Sequence, residues 1–570
     1  MNIAPPIKPA VRARPFLRSL LALAALLAWP GAHADERSEV EQLRATTLAL
    51  IRALVDQGLI SPERAQALLK QAAPRPAAPG LAATAPPAAA AAPEWGASAP
   101  RTVHVPYIPE TVRAEIKKDI AKDVLATARE EGWADAHQIP AWLKTFTFEG
   151  DLRVRAEGDL FDKNNEPAYL YQSQTASPAW SPDLTNTQTS YDRLTLRARF
   201  GVKAAVGDDT QVGLRLSTGN TPTSASQTLG SGSGFSSRYT FNLDRAWIDW
   251  EPLHDTHFTA GRMETPFYGT DLLWPEDLSL DGVALRGRQD VGRGASGFAT
   301  LGAYVLQQFS SGAASKWLFG AQLGGDWAVT ESTSIRLAAA VYDFHHVEGV
   351  QETNPAPTGA LAATQPYEQS QYPSGVRLRG NTLININDPT NTGATVWGLA
   401  STFRPINVSA ALTLRQFDPV QAGLSLDYVR NSGFDLADIE RRAGATSVDG
   451  LVNRTTGVQA RLQVGSRDQT QRGAWNTFVA YRQFERDAWI DAFTDTTWNL
   501  GGTNYRGFSL GGAYTFDRRS SLGLRWTTTR NLDDGVRTLS NPSQPTSVIG
   551  DMSSAPLKID VIQIDLNTKF

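Results

Sequence analysis

From residue 145 to the carboxy terminus, apolar and polar positions alternate with a period of two, which predicts β-strands. In the segment 193–203, every second residue from Leu194 to Val202 is apolar, and the residues between them are mostly arginine, lysine or threonine. This alternation fits a soluble sheet with one solvated face. It equally fits a membrane barrel whose apolar face meets lipid and whose polar face lines water.

The lengths of the connections separate these two folds. The alternating segments predict about sixteen strands. Short turns alternate with long connections rich in Gly, Ser, Thr, Asn and Pro. The exception is the 310–315 link, which is short although a long connection is expected there. The long connections are roughly 159–190, 219–239, 265–282, 346–394, 430–454, 486–504 and 530–556. Short turns at one end and long loops at the other are typical of an all-β transmembrane barrel, here 145–570. Trp247, Trp250, Trp327, Tyr342, Tyr428 and Trp526 would line the membrane interfaces or face the lumen.

The amino terminus predicts export. Four basic residues precede the apolar run Leu20–Trp29, and the small-x-small sequence ending at Ala34 follows it. A basic segment, a short apolar segment and a small-residue site, in that order, form a secretory signal peptide. We therefore expect residues 1–34 to be removed by cleavage after Ala34.

Three further segments precede the barrel. Residues 35–72 have the apolar spacing of a helical hairpin or short coiled coil, which would either pack on itself or serve assembly. Residues 73–104 are rich in Ala and Pro and predict an extended linker. Residues 105–144 predict an amphipathic helix, which could dock on the periplasmic mouth, plug the lumen or pair with other copies. The expected fold is thus a barrel preceded by short periplasmic α-helices.

Composition excludes several classes of protein. The chain contains no cysteine and has a net charge of −4, so neither disulfides nor a nucleic-acid-binding surface is expected. No long apolar run follows the first 30 residues, which argues against a helical membrane protein. We find no nucleophile–base motif and no metal-binding signature, and His345, His346 and Glu348 fall at a strand end. No enzyme activity, cofactor or metal is therefore predicted.

Three separated blocks resemble the bacterial "putative porin" family. They are VPYIPETVRAEIKKDIAKDVLATAREEGWADAHQIPAWL with the following FEGDLRVRAEG, DLLWPEDLSLDGVAL at Asp271–Leu285, and FERDAWIDAFTDTTWNLGGTNYRGF at Phe484–Phe508. The resemblance covers roughly 105–570. It implies a porin in the outer membrane of a bacterial cell, surrounded by lipid, and analogy with porins suggests a homotrimer. It does not imply a particular solute.

The last strand ends in an aromatic residue. Ile562, Ile564, Leu566 and Thr568 occupy alternate positions that lead to Phe570 at the carboxy terminus. This arrangement resembles the signal that the barrel-assembly machinery reads in outer-membrane proteins. Phe570 is therefore the predicted assembly signal.

The inward positions of the early strands are rich in arginine. In porins generally the third loop often folds into the lumen, and here it carries three acids. The resulting hypothesis is a constriction formed by Arg153, Arg155, Arg193, Arg197, Arg199, Arg215 and Arg245 facing Glu276, Asp277 and Asp281. In the alternative interpretation these arginines pair with Glu149, Asp151, Glu157, Asp192 and Asp244. They would then only balance charge in a water-filled interior.

The expected function is a water-filled channel for passive diffusion of small hydrophilic solutes or ions. The alternative is an outer-membrane tether or adhesin that links envelope layers through the N-terminal helices. A translocator is disfavoured because the segment before the barrel is mostly linker. A gated transporter is disfavoured because plugged barrels of that kind have about 22 strands.

Overall fold

The computed structural model describes residues 145–172, 178–219, 221–231, 235–309, 315–358, 366–391, 393–444, 448, 451–532 and 556–570. The predicted signal peptide with Ala34, the helices of 35–72, the linker 73–104 and the amphipathic helix 105–144 lie outside the described residues. The strands and helices given below therefore all belong to the predicted barrel region.

Alternating residues form long strands joined mostly in chain order. The strands are β1 (Phe146–Phe161), β2 (Tyr191–Ala205), β3 (Thr210–Ser217), β4 (Gln227–Thr228), β5 (Asn242–Leu253), β6 (Thr256–Glu264), β7 (Ser279–Gly292), β8 (Ala295–Gln307), β9 (Lys316–Thr330), β10 (Thr333–His345), β11 (Leu383–Asn385), β12 (Trp397–Leu399), β13 (Pro405–Phe417), β14 (Val420–Asn431), β15 (Thr456–Ser466), β16 (Trp475–Phe484), β17 (Tyr505–Asp517), β18 (Ser520–Asn531) and β19 (Lys558–Lys569). All the pairings between them are antiparallel.

Sixteen of these strands close into a barrel. Strand β1 pairs with β2 on one side and with β19 on the other, so the sheet has no open edge at this seam. The short strand β4 adds a local pairing to β2, and β11 and β12 form a separate hairpin. The predicted closed barrel of about sixteen antiparallel strands is confirmed. Closure pairs the backbone groups that an open sheet would leave exposed in hydrocarbon.

The period-two pattern sorts side chains between the two faces of the wall. On β1, Phe148 and Leu152 are exposed on the outer surface, whereas Asp151 and Arg155 are buried inside. The same division recurs around the barrel, so the outer surface is apolar and the inner surface is charged. An apolar exterior around a polar interior is the distribution expected of a barrel that sits in lipid.

The predicted interfacial aromatic residues divide between the two faces. Four of them are at least two-fifths exposed on the outer surface: Trp250, Trp327, Tyr428 and Trp526. Tyr342 instead points inward and is 3% exposed, and Trp247 packs against the same internal cluster. The two inward rings therefore belong to the interior and not to a girdle.

The two ends of the barrel differ as expected. One end has short turns such as 254–255 and 418–419, and the other has long loops such as 346–404. The long loops contain helix α1 (Ala168–Tyr171), helix α2 (Leu436–Ala443) and a 3-10 helix at Asp491–Phe493. No helix in the described part of the chain is long and apolar enough to cross a bilayer. The third long loop, residues 265–278, is called L3 below.

Candidate pore constriction

L3 folds into the barrel and is bound to the wall opposite its own strands. The backbone N–H and the hydroxyl of Thr270 both donate to the Asp427 carboxylate on β14, at 3.0 and 2.7 Å. The next residue, Asp271, accepts from Gln459 at 2.7 Å and forms an ion pair with Arg482 at 3.1 Å. L3 leaves from β6 and returns at β7 but attaches to β14, β15 and β16, so it crosses the lumen.

An aromatic cluster holds the middle of L3. Trp274 is 7% exposed and packs among Phe267, Tyr342 and Trp489. Its ring centroid lies 5.4 Å from that of Tyr342 and 4.9 Å from that of Trp489, both in edge-on geometry. Its indole N–H also donates to the Tyr342 hydroxyl at 3.3 Å. We call Phe267, Trp274, Tyr342 and Trp489 the aromatic anchor, since edge-on pairs of this kind add to the stabilisation from burial.

The far end of L3 carries its acidic tip, Glu276 and Asp277. The Asp277 carboxylate lies 3.2 Å from Arg197 and 2.9 Å from Arg199, and it accepts from the Ala225 backbone N–H at 3.0 Å. Glu276 lies 2.8 Å from Arg199. The hypothesis placed these acids across a gap from the arginines, but the structure places them in direct contact.

Asp151 of β1 completes this charged cluster from the wall side. It contacts Arg197 at 3.0 Å and Arg199 at 2.5 Å, so each arginine is held between a wall carboxylate and an L3 carboxylate. Both arginine side chains are less than a tenth exposed. Removing one partner of a buried ion pair costs about 3–5 kcal/mol, so this cluster fixes the end of L3 firmly.

The charges around Glu276 keep its carboxyl ionised in acid. Partial burial raises its pKa, but Arg197 and Arg199 outweigh that effect and lower the pKa from 4.5 to about 2. A carboxyl with a lowered pKa in the folded state stabilises L3 fully above pH 4.5 and loses that contribution as the pH falls toward 2. We expect the reversal potentials of wild type and E276Q to differ from pH 7 down to pH 4.5 and to converge only near pH 2. Convergence at pH 5 in single-channel recordings would contradict this assignment.

The other arginines on β1 and β2 also face inward. Arg153 donates to the Ser226 hydroxyl at 2.7 Å, and Arg155 binds Asp565 of β19 at 2.6 Å. Arg193 contacts Glu157. The structure thus brings these residues to the same wall as Arg197 and Arg199 and pairs several of them with wall acids, as the alternative interpretation expected.

One predicted arginine and one predicted acid lie away from the acidic tip. Arg215 pairs with Asp244 at 2.5 Å. Arg245 pairs with Glu264 at the start of L3 and reaches the tip through its backbone, donating to the Glu276 carbonyl at 3.4 Å. Asp281 was placed in the third loop, but the structure places it on β7, where it lies 2.6 Å from Arg262 of β6. Asp281 therefore does not contribute to the cluster around Arg197.

Polar cavities lie on both sides of the acidic tip along the arginine wall. Toward the long loops, a cavity of about 400 Å³ is lined by Arg155, Arg193, Thr195 and Thr496, among others. Toward the short turns, a cavity of about 530 Å³ is lined by residues that include Lys203 and Arg215. L3 thus narrows a hydrophilic interior at the level of Arg197 and Arg199.

Sequence reasoning missed the half of L3 that binds the opposite wall. Asp271, Gln459 and Arg482 form one attachment, and Trp274 with Trp489 forms the other. The signal was available as the apolar Leu272-Leu273-Trp274 run inside an otherwise polar loop. An apolar run flanked by acids in a lumen loop indicates a docking segment, because it must be covered by something.

A closed barrel with an apolar exterior and an inward loop that narrows a polar interior defines a β-barrel membrane channel. The chain belongs to the family described as "Putative porin", whose family model matches residues 44–570. Membership places the protein in the outer membrane and indicates a channel rather than an enzyme.

Similarity to solved structures is low in sequence. The chain is similar to OprB of Pseudomonas putida, with 10% identity, 75% of this chain and 94% of that chain covered, and a TM-score of 0.41. It is similar to the outer membrane channel DcaP of Acinetobacter baumannii, with 10% identity, 75% and 97% coverage and a TM-score of 0.36. The anion-selective porin from Comamonas acidovorans gives 11%, 75% and 99% coverage and 0.37. No curated protein matches the chain.

Proposed function

We propose that the protein is a passive diffusion porin for small hydrophilic solutes and ions, and that L3 forms its constriction. The observation that carries the proposal is the position of L3. The loop crosses a charged lumen and leaves polar cavities on both sides of its acidic tip. In a channel of this kind, charged side chains at the narrowest level determine which ions pass.

The attachments of L3 favour a fixed constriction over a swinging gate. Asp427 and Asp271 mark one fixed end, the aromatic anchor holds the middle, and Arg197 with Arg199 holds the tip. A loop that is attached at both ends and in its middle differs from mobile lids, which have few and weak contacts. The channel is therefore expected to be open continuously.

The direct test is a planar bilayer recording. The purified full chain, refolded in detergent, is inserted under a salt gradient. Stable current steps with a measurable reversal potential would support a continuously open pore. A folded barrel that inserts without any conductance would overturn the proposal, because the lumen would then be closed.

Neutralising the arginines at the constriction should change ion preference. R197Q/R199Q removes two positive charges beside the acidic tip, so the reversal potential should shift toward cation preference. A unit charge about 5 Å from a passing ion contributes about 0.8 kcal/mol in water, or about a fourfold change in permeability ratio per charge before screening by salt. The reversal potential under a KCl gradient measures this shift.

Two further variants control this prediction. E276Q removes the opposite charge at the same level and should shift the reversal potential toward anions. D281N removes an acid that pairs with Arg262 on β6 and should leave the reversal potential unchanged. Equal shifts of the reversal potential in E276Q and D281N would show that the acidic tip does not determine ion selectivity.

The tethering alternative depends on residues 35–72, outside the described residues. The homotrimer and the contact with the barrel-assembly machinery stay predictions.

A further inference from the structure

Most inward arginines in the described ranges are paired with carboxylates, but a few are not: Arg153 of β1 donates to the Ser226 hydroxyl instead, and two others share one aromatic ring. Arg461 of β15 and Arg525 of β18 point into the interior and form no ion pair with any residue in the described ranges. The Arg525 guanidinium donates to the Thr497 hydroxyl at 3.0 Å. Both side chains are partly exposed, so their charges face the lumen and are open to a solute.

The two arginines share one aromatic ring. The guanidinium carbon of Arg461 lies 3.8 Å from the centroid of Phe478, and that of Arg525 lies 5.3 Å from the same centroid. Phe478 lies against Gly511 on β17, where an added Cβ would come within 2.8 Å of the ring. The ring therefore lies close to the wall and supports both cations, since a guanidinium over an aromatic face is attracted to it.

The nearby acids are already bound. The charge of Asp271 is taken by Arg482, and Asp495 accepts from the backbone N–H and the hydroxyl of Thr497, both at 2.8 Å. Burial raises the pKa of Asp271, but Arg482, the Gln459 hydrogen bond and the charges of Arg461 and Arg525 outweigh that effect and lower it to about 2. The guanidiniums of Arg461, Arg482 and Arg525 thus face the carboxylates of Asp271 and Asp495, which leaves one net positive charge at this level.

The position of Arg461 puts it next to the path past L3. Arg461 is the next inward position after Gln459, which binds Asp271 of L3, and it lies on the short-turn side. It also lines a recess of about 240 Å³ together with Thr413, Ser425 and Gln463. Hydroxyl and amide groups beside a guanidinium can supply further hydrogen bonds to an anion.

We propose that Arg461, Phe478 and Arg525 form a binding site inside the channel for small organic carboxylates. The proposal deepens the proposed function and rests on it. A guanidinium presents two parallel N–H donors that match the two oxygens of a carboxylate. The polar recess accepts the rest of a small solute, and the ring keeps both donors oriented.

The test uses the full chain in a planar bilayer in KCl, with potassium succinate added to one side at constant ionic strength. Succinate should reduce the chloride current of wild type in a saturable manner. R461Q/R525Q should weaken that block at least about tenfold, because each variant residue loses charge-assisted hydrogen bonds. Neither arginine forms an ion pair with a described carboxylate, Asp271 keeps its ion pair with Arg482, and heat-modified gel migration confirms folding.

R336Q is the matched control. It removes one inward arginine from β10 that is paired with Asp326, so block by succinate should persist. If wild type shows no conductance in KCl, the proposed function itself is overturned. Normal conductance without block by succinate, or equal block in R461Q/R525Q, would overturn the carboxylate site alone. Equal block by phosphate would show that the site recognises charge and not the carboxylate.

Discussion

Replacing Trp274 with alanine is expected to release L3 from the wall, which should raise the mean conductance and the current noise of the open channel. The indole is almost fully buried and contacts Phe267, Tyr342 and Trp489. Truncating a buried tryptophan to alanine costs about 3–5 kcal/mol. Most of that loss falls on the docking of L3, because the strand pairing around the barrel does not depend on Trp274.

Single-channel recordings of W274A measure this effect. W475A is the matched control, since Trp475 is 40% exposed on the barrel wall and lies outside the aromatic anchor. Its conductance and noise should match those of wild type. If W274A folds and conducts as wild type does, the aromatic anchor does not hold the constriction, and the ion pairs of the acidic tip must be sufficient.

Replacing Phe570 is expected to lower the amount of folded barrel in the outer membrane to well below half of the wild-type amount. The ring is 54% exposed, so it contributes little to the core. The backbone of Phe570 exchanges two hydrogen bonds with Gly150, at 3.0 and 3.1 Å, and F570A keeps both. F570A therefore separates the ring as an assembly signal from the closure of the barrel.

Gel migration of unheated outer-membrane fractions measures the folded amount. F516A is the control, because Phe516 is also an exposed ring near the short turns, on β17. In detergent, without any assembly machinery, F570A should refold as wild type does. Wild-type amounts of folded F570A in cells would show that the ring is not a signal.

The barrel could be predicted from the sequence because its main determinant is local. Alternation with a period of two, the contrast of short turns and long loops, and the position of L3 are each contained in short stretches of chain. The constriction hypothesis set Glu276 and Asp277 of L3 across from Arg197 and Arg199 of β2, and the structure brings these residues into contact. That hypothesis depended on knowing that in porins a third loop can fold inward.

The rest depends on contacts between distant residues. Asp281 lies on a strand because β7 pairs with β6 as far as the pair formed by Glu264 and Ser279. The length of this pairing depends on both strands, so it cannot be predicted from the loop segment alone. The sequence leaves Tyr342 either at a membrane interface or in the lumen, and the structure places it inward, against Trp274 and Trp489 from two loops. Likewise, the alternating pattern predicts which arginines face inward but not which of them form an ion pair with a carboxylate.

The seam between β1 and β19 constrains the order of events during biosynthesis. Arg155 and Asp565, which pair across it, are 410 residues apart. Until the last strand has left the ribosome and crossed the inner membrane, β1 has no partner on one side and presents a free edge that could aggregate. Closing so long a loop is also slow relative to the formation of hairpins between neighbouring strands. We therefore expect the chain to stay unfolded until β19 has reached the periplasm. A truncated chain that lacks β19 could not close the barrel.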